Sequence, residues 1–170
     1  VVLVAEAVRR RPFSDAVKDG ANAVASLLFL PSGFGWGPKM GAGAVILAER
    51  IDPVVFRDGE NQRIDDAKVA VGSIVPEGAS VQTGPGGSVL LLLSNGTVVT
   101  VTENAEMKVK SFDQEAFASN GKSMSDFQEE LSPSRVLVDL EVGSLVEQTK
   151  KLSKKSNFEM QKYYTLKINI

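Results

Sequence analysis

The side chains able to do chemistry in this sequence are carboxylates, lysines, tyrosines and hydroxyls, because histidine and cysteine are both absent. Histidine is the usual general base near neutral pH and the commonest metal ligand, and thiolates supply most other strong nucleophiles and soft metal sites. Ser-His-Asp and Cys-His nucleophiles, zinc sites built on those residues and disulfides are therefore excluded. Among the carboxylates, Asp139 and Glu141 stand two apart and so share one face of a strand. Glycoside hydrolysis uses such pairs when a cleft holds them, but alternating surface charge explains the spacing more simply. Asp65-Asp66 and the acids of residues 111–134 lack the alternating Asp/Asn ladder and glycine of a calcium loop. Gly33–Gly43 is rich in glycine, yet it has neither a Gly-Lys-Ser/Thr ending nor Gly-x-Gly-x-x-Gly spacing. Lys150, Lys151, Lys154 and Lys155 could meet phosphate or anionic lipid, and read more simply as a solvated connector. No catalytic, cofactor-binding or metal-binding residue is assigned, and a non-enzyme is expected.

The totals agree with that reading. An apolar fraction of 43% and a charged fraction of 24% over 170 residues are those of a globular domain with a real core. A net charge of −2 gives no steering toward nucleic acid, which is not expected as a partner. Ala21–Ala48 carries Lys39 as its one charge, but Pro31, Pro38 and five glycines interrupt it. It falls short of the roughly 20 apolar residues that a spanning helix needs, so no membrane span is expected in this chain. Arg9-Arg10-Arg11-Pro12-Phe13, the apolar run Ala21–Leu30 and Ala42-Gly43-Ala44 follow the layout of an export signal, with Asp15 and Asp19 against it. The alternative is an N-terminal segment that packs on the domain.

The elements that would position these residues come in three regions. Residues 1–50 form an N-terminal extension, a short helix followed by the glycine-rich loop. Val17, Ala21, Val24, Ala25 and Leu28 recur at helical spacing, and Pro31 stops that helix. In the loop, Phe34 and Trp36 are aromatics between glycines and candidates for partner contact. Residues 51–157 are a string of short β signals: Val69–Ile74, Ser80–Gln82, Ser88–Leu93, Thr97–Thr102, Glu106–Lys110, Arg135–Leu140 and Ser144–Glu147. Ser88–Leu93 is apolar on both faces and is expected to be central and covered on both sides. Asn95-Gly96 predicts a two-residue type I′ hairpin. Residues 111–134 show no β alternation. Ser111-x-x-Gln114 and Ser125-x-x-Gln128 match a capping box there, so a partly helical, mobile surface insert is expected. The fold class is all-β, a sandwich or roll of short antiparallel strands.

The order of these features resembles the periplasmic β-domain of the FecR family. The residues that carry the resemblance are Pro76-Glu77-Gly78, Thr83-Gly84-Pro85-Gly86-Gly87-Ser88, Val89–Leu93, Asn95-Gly96-Thr97, Val98–Val101, Asn104–Val109, Leu140–Val146 and Asn157–Met160. The resemblance implies a periplasmic or extracellular, cell-envelope module that signals by binding protein partners, a receptor or anti-sigma components. Two departures are expected from the signalling members: no adequate span in the first 50 residues, and no receptor-docking region after the domain. A structural subunit of a surface assembly, bound to copies of itself, is the alternative.

The last region, 158–170, alternates over its whole length. Phe158, Met160, Tyr164, Leu166, Ile168 and Ile170 line one face, with Lys162 out of step, and polar residues and Tyr163 line the other. At roughly 3.3 Å per residue the run would extend about 43 Å, long for one strand. Its distal part, Tyr164–Ile170, is expected either to close its own sandwich or to pair with another chain, with Val1–Val4 as an edge it could meet.

Overall fold

Short apolar runs of period two, broken at glycine, proline and Asn-Gly, suit two sheets packed face to face. The chain folds that way. The computed structural model describes residues 2–3, 40–117 and 126–162. The first sheet has the order β1 (Val2–Leu3), β10 (Leu145–Gln148), β7 (Val98–Val101), β6 (Ser88–Leu93), β3 (Val45–Ile51). The second has the order β11 (Asn157–Lys162), β9 (Ser134–Val142), β8 (Glu106–Glu115), β5 (Ser80–Thr83), β4 (Val54–Arg57), and β2 (Met40–Ala42) pairs with the distal half of β8. Among the described strands every pairing is antiparallel except that of β11 with β9, which is parallel.

The core lies between the sheets. Val45, Leu47, Val89, Leu91, Leu93, Val99 and Val101 face it from the first sheet, and Val54, Phe56, Val81, Met107, Val109, Phe112, Val136, Val138 and Leu140 from the second. β6 is buried along both rows: Leu90 and Leu92 are covered as well, on the face turned away from that cluster, beside Ile46 and Val98. A central strand covered on both sides is what its unbroken apolar run predicts.

Several local expectations need correction. Ser111–Glu115 is not helical; it continues β8, with a register shift between Val109 and Ser111. The extra residue moves the inward row from Met107 and Val109 to Phe112 and Gln114, so the alternation is lost to the eye while the strand goes on. Asn120-Gly121 and Ser125 lie outside the described residues; Phe117 and Phe127 are half-buried. The Asn95-Gly96 turn is not type I′. Gly96 N–H donates to Leu93 C=O (2.8 Å) and Leu93 N–H to Thr97 C=O (2.9 Å), which closes a three-residue loop, and only Gly96 has positive φ (85°). This is a turn followed by a left-handed bulge glycine.

Val69–Ile74 is not a strand either. Asp66–Val69 is a 3-10 turn capped by the Asp65 carboxylate on Ala67 N–H (2.9 Å), and Gly72 then reverses the chain. The apparent alternation hid this: Val69 is fully buried while Val71 is 59% exposed. The sandwich also begins earlier than residue 51, since β3 is a core strand and Ala42-Gly43-Ala44 is bonded into the fold. Gly43 N–H donates to Phe112 C=O (2.7 Å) and Ala44 N–H to Ser94 Oγ (3.0 Å). The expected N-terminal helix lies outside the described residues. No described helix is long and apolar enough to cross a membrane.

Candidate functional site

A sheet ends in a row of unpaired backbone groups, and folded proteins usually cover or blunt it. Here the chain covers β3 with its own loop: Gly72 N–H donates to Leu47 C=O (2.7 Å), Leu47 N–H to Ser73 C=O (3.0 Å) and Val75 N–H to Val45 C=O (2.8 Å). β4 is covered likewise, by Ile64 N–H to Phe56 C=O (2.9 Å), Asp58 N–H to Gln62 C=O (2.8 Å) and a bridge between Arg57 and Arg63. At the far end of the first sheet β1 lies beside Glu147 and Gln148 of β10. The fourth end is β11, and no described residue pairs with its outer side.

The sequence builds β11 as a half-buried strand. Phe158 and Met160 pack against the core, and Asn157, Glu159 and Gln161 are exposed on the opposite row. Asn157 Nδ2 donates to Glu159 Oε1 (2.9 Å). In register with β9, Asn157 stands beside Arg135 and Lys162 beside Leu140.

A polar clasp fixes where β11 begins. The Glu130 carboxylate accepts from Ser153 N–H (2.6 Å), Ser134 Oγ–H (2.9 Å) and Ser156 Oγ–H, and Ser134 N–H donates to Ser156 Oγ (2.9 Å). Ser134 Oγ also accepts from Asn95 Nδ2 (3.0 Å), while Asn95 Oδ1 accepts from Thr97 N–H (3.0 Å). One carboxylate thus ties the hairpin, the start of β9 and the start of β11 together. Beside it Ser94 Oγ donates to Gln114 Oε1 (2.6 Å). The Thr97 hydroxyl, Gln114 Nε2 and Asp139 Oδ1 are buried and have no hydrogen-bond partner among the described residues.

The other charged groups brace the sandwich. Arg50, at the opposite end of β3 from this clasp, bonds Asp52 (2.8 Å), Asp66 (3.1 Å) and Val54 C=O (3.0 Å), with its guanidinium over the Phe56 ring. That bond to Arg50 holds the Asp66 carboxyl below the usual carboxylate range. Asp139 is not an exposed strand charge: it is 3% exposed and its Oδ2 meets Lys110 Nζ at 3.1 Å, whereas Glu141 beside it is exposed. Lys151 pairs with Glu129, and the Lys150 stem lies over Gly96. Burial pushes the half-buried Glu147 carboxyl up. Among the described residues no group of three or more acidic side chains is placed to hold a metal ion.

Of the sequence-derived contact residues, Phe158 and Met160 fall together on β11. Phe34, Trp36, Tyr164, Leu166, Ile168 and Ile170 lie outside the described residues. Glu130, Ser134, Ser153 and Ser156 carry no motif that marks them, because they meet only when β9 and β11 become neighbours. Comparison with family models, with curated protein sequences and with solved structures gives no match.

Proposed function

We propose that this chain is a non-catalytic interaction module of the cell envelope, of FecR type, that binds a protein partner along β11. The observation that carries the reading is the contrast between the ends of the two sheets: β3 and β4 are covered by the chain's own loops, and no described residue pairs with the outer side of β11. Strand addition there would satisfy backbone groups at the outer side and complete the burial of Phe158 and Met160. The periplasmic or extracellular location, and the receptor or anti-sigma components as partners, rest on the resemblance alone. The non-catalytic reading is supported by the missing histidine and cysteine and by the occupation of Glu130 and Asp66 with hydrogen bonds and ion pairs inside the fold.

The test is site-specific cross-linking in the cells that make the protein. A benzophenone side chain placed at Glu159 should give discrete adducts with protein, and one placed at Glu60, exposed in the loop that covers β4, should not. Equal labelling at the two positions, or none at Glu159, overturns the reading.

A further inference from the structure

We infer that the β11 edge takes an extended segment of another protein that runs antiparallel to β11 and reads, from its N-terminus, apolar, basic, apolar, acidic. The inference rests on the reading of β11 as a docking edge and goes beyond it by giving the partner's direction and charge order. Two observations carry it.

The first is the distribution of charge along the edge. β11 starts in a cationic surround: Lys154 and Lys155 are exposed in the turn just before it, and the exposed Arg135 stands in register beside Asn157. Asp113 stands in register with Arg135 on its β8 side, so the two turn lysines supply most of the positive field there. Glu129 is paired with Lys151, and Glu130 is held inside the clasp. Further along, the charge changes sign. Glu159 is exposed on β11 and Glu141 is exposed near the end of β9.

The second is the alternation of β11 itself. Phe158 and Met160 are half-buried on the core side, and Asn157, Glu159 and Gln161 are exposed on the other. Directly opposed residues share a face, so an added strand sets apolar residues opposite Phe158 and Met160 and polar residues opposite the exposed row. Charge then specifies the polar row. A lysine or arginine belongs beside Glu159, and an aspartate or glutamate beside Asn157, on the side of Arg135 and Lys155. Parallel ladders are the less stable per residue, which favours antiparallel addition. That direction places the basic residue before the acidic one.

The probe is a synthetic peptide, Thr-Thr-Val-Lys-Val-Glu-Thr, labelled at its N-terminus and titrated with the full chain up to about 1 mM in fluorescence anisotropy. Changing its lysine to glutamate, or its glutamate to lysine, should weaken binding about fivefold, because each change sets like charges side by side. Glu159→Lys should invert the first comparison, so that the peptide with two glutamates binds the better. A spin label at the peptide N-terminus should broaden the amide of Gln161 more than that of Asn157; the reverse overturns the strand direction and the charge order with it. Binding without regard to charge, or no binding, overturns the inference. The edge reading then still stands if benzophenone at Glu159 captures a protein, and falls with it if nothing is captured. A concentration-dependent dimer of the chain that competes with the peptide makes a second copy the occupant and overturns the inference too.

Discussion

Removing the Glu130 carboxylate should loosen β11 before it loosens the rest of the sandwich. Glu130→Ala strips the acceptor from Ser134 Oγ–H, Ser156 Oγ–H and Ser153 N–H, all part-buried. A hydrogen bond to a charged group contributes about 1.5–3 kcal/mol, and a buried donor left without its acceptor costs about 1–3 kcal/mol. The three bonds share one carboxylate, and water reaches part of the site, so they do not add in full. We expect a loss of about 3 kcal/mol, which for a chain of this size lowers Tm by about 6–12 °C. Glu130→Gln keeps the acceptor oxygen for Ser153 and Ser156 and should lose about 1 kcal/mol. The assay is thermal unfolding of the three proteins together with amide hydrogen exchange. In Glu130→Ala, the amides of Asn157–Lys162 should exchange faster while those of Val89–Leu93 keep their protection relative to global stability. A fall in Tm below 2 °C, or equal acceleration in both strands, would refute the argument that one carboxylate holds the start of β11.

Four further outcomes follow from other sites. Thr97→Val replaces a buried hydroxyl that has no partner among the described residues with a methyl of the same shape, and should raise stability by about 1 kcal/mol in urea unfolding. Gly143→Ala should cost well over the roughly 1–2 kcal/mol of a strained left-handed alanine, because its Cβ would sit 2.6 Å from Ala105 Cα at φ 82°. Gly96→Ala, at φ 85°, meets only the movable Lys150 side chain and should stay near that figure, as paired chemical denaturation would show. Glu147→Gln tests the raised carboxyl. The folded state holds this proton more tightly than the unfolded chain, so its contribution favours folding below the ordinary carboxylate pKa and is lost as pH rises through the raised value. The variant should therefore be the more stable protein at pH 7, with the gap closing toward about pH 4 in a urea series.

The sequence made the sandwich legible where both periodicity and punctuation were intact. Ser88–Leu93, Arg135–Leu140 and the chain reversal at Asn95-Gly96, though not its turn type, could be placed because apolar rows and turn residues agree there. It concealed β8 beyond Val109 because one extra residue reverses the inward row, and because the inward Gln114 is polar. Val69–Ile74 misled for the opposite reason: its spacing imitates a strand while Asp65 caps a tight turn. Of the site, the half-buried character of Phe158 and Met160 was readable, whereas the parallel partnership of β11 with β9 was not. That pairing depends on a crossover through β10 in the other sheet, and no local pattern encodes it.

The way successive strands alternate between the two sheets constrains how the molecule can be made. β3 must wait for β6, and between them β4 and β5 go to the opposite layer. β8 lacks one flank until β9 arrives, and β9 in turn lacks one until β11. Because Glu130 and Ser134 lie beyond the hairpin and Ser153 and Ser156 beyond both sheets' middle strands, a nascent chain that stops at Val101 has only the β4–β5 pair as its second layer. Such non-local pairing slows folding, and a chain synthesised this way stays open to unfolding until β9 and β11 are in place. Early termination should therefore leave an unfolded fragment rather than a smaller stable domain.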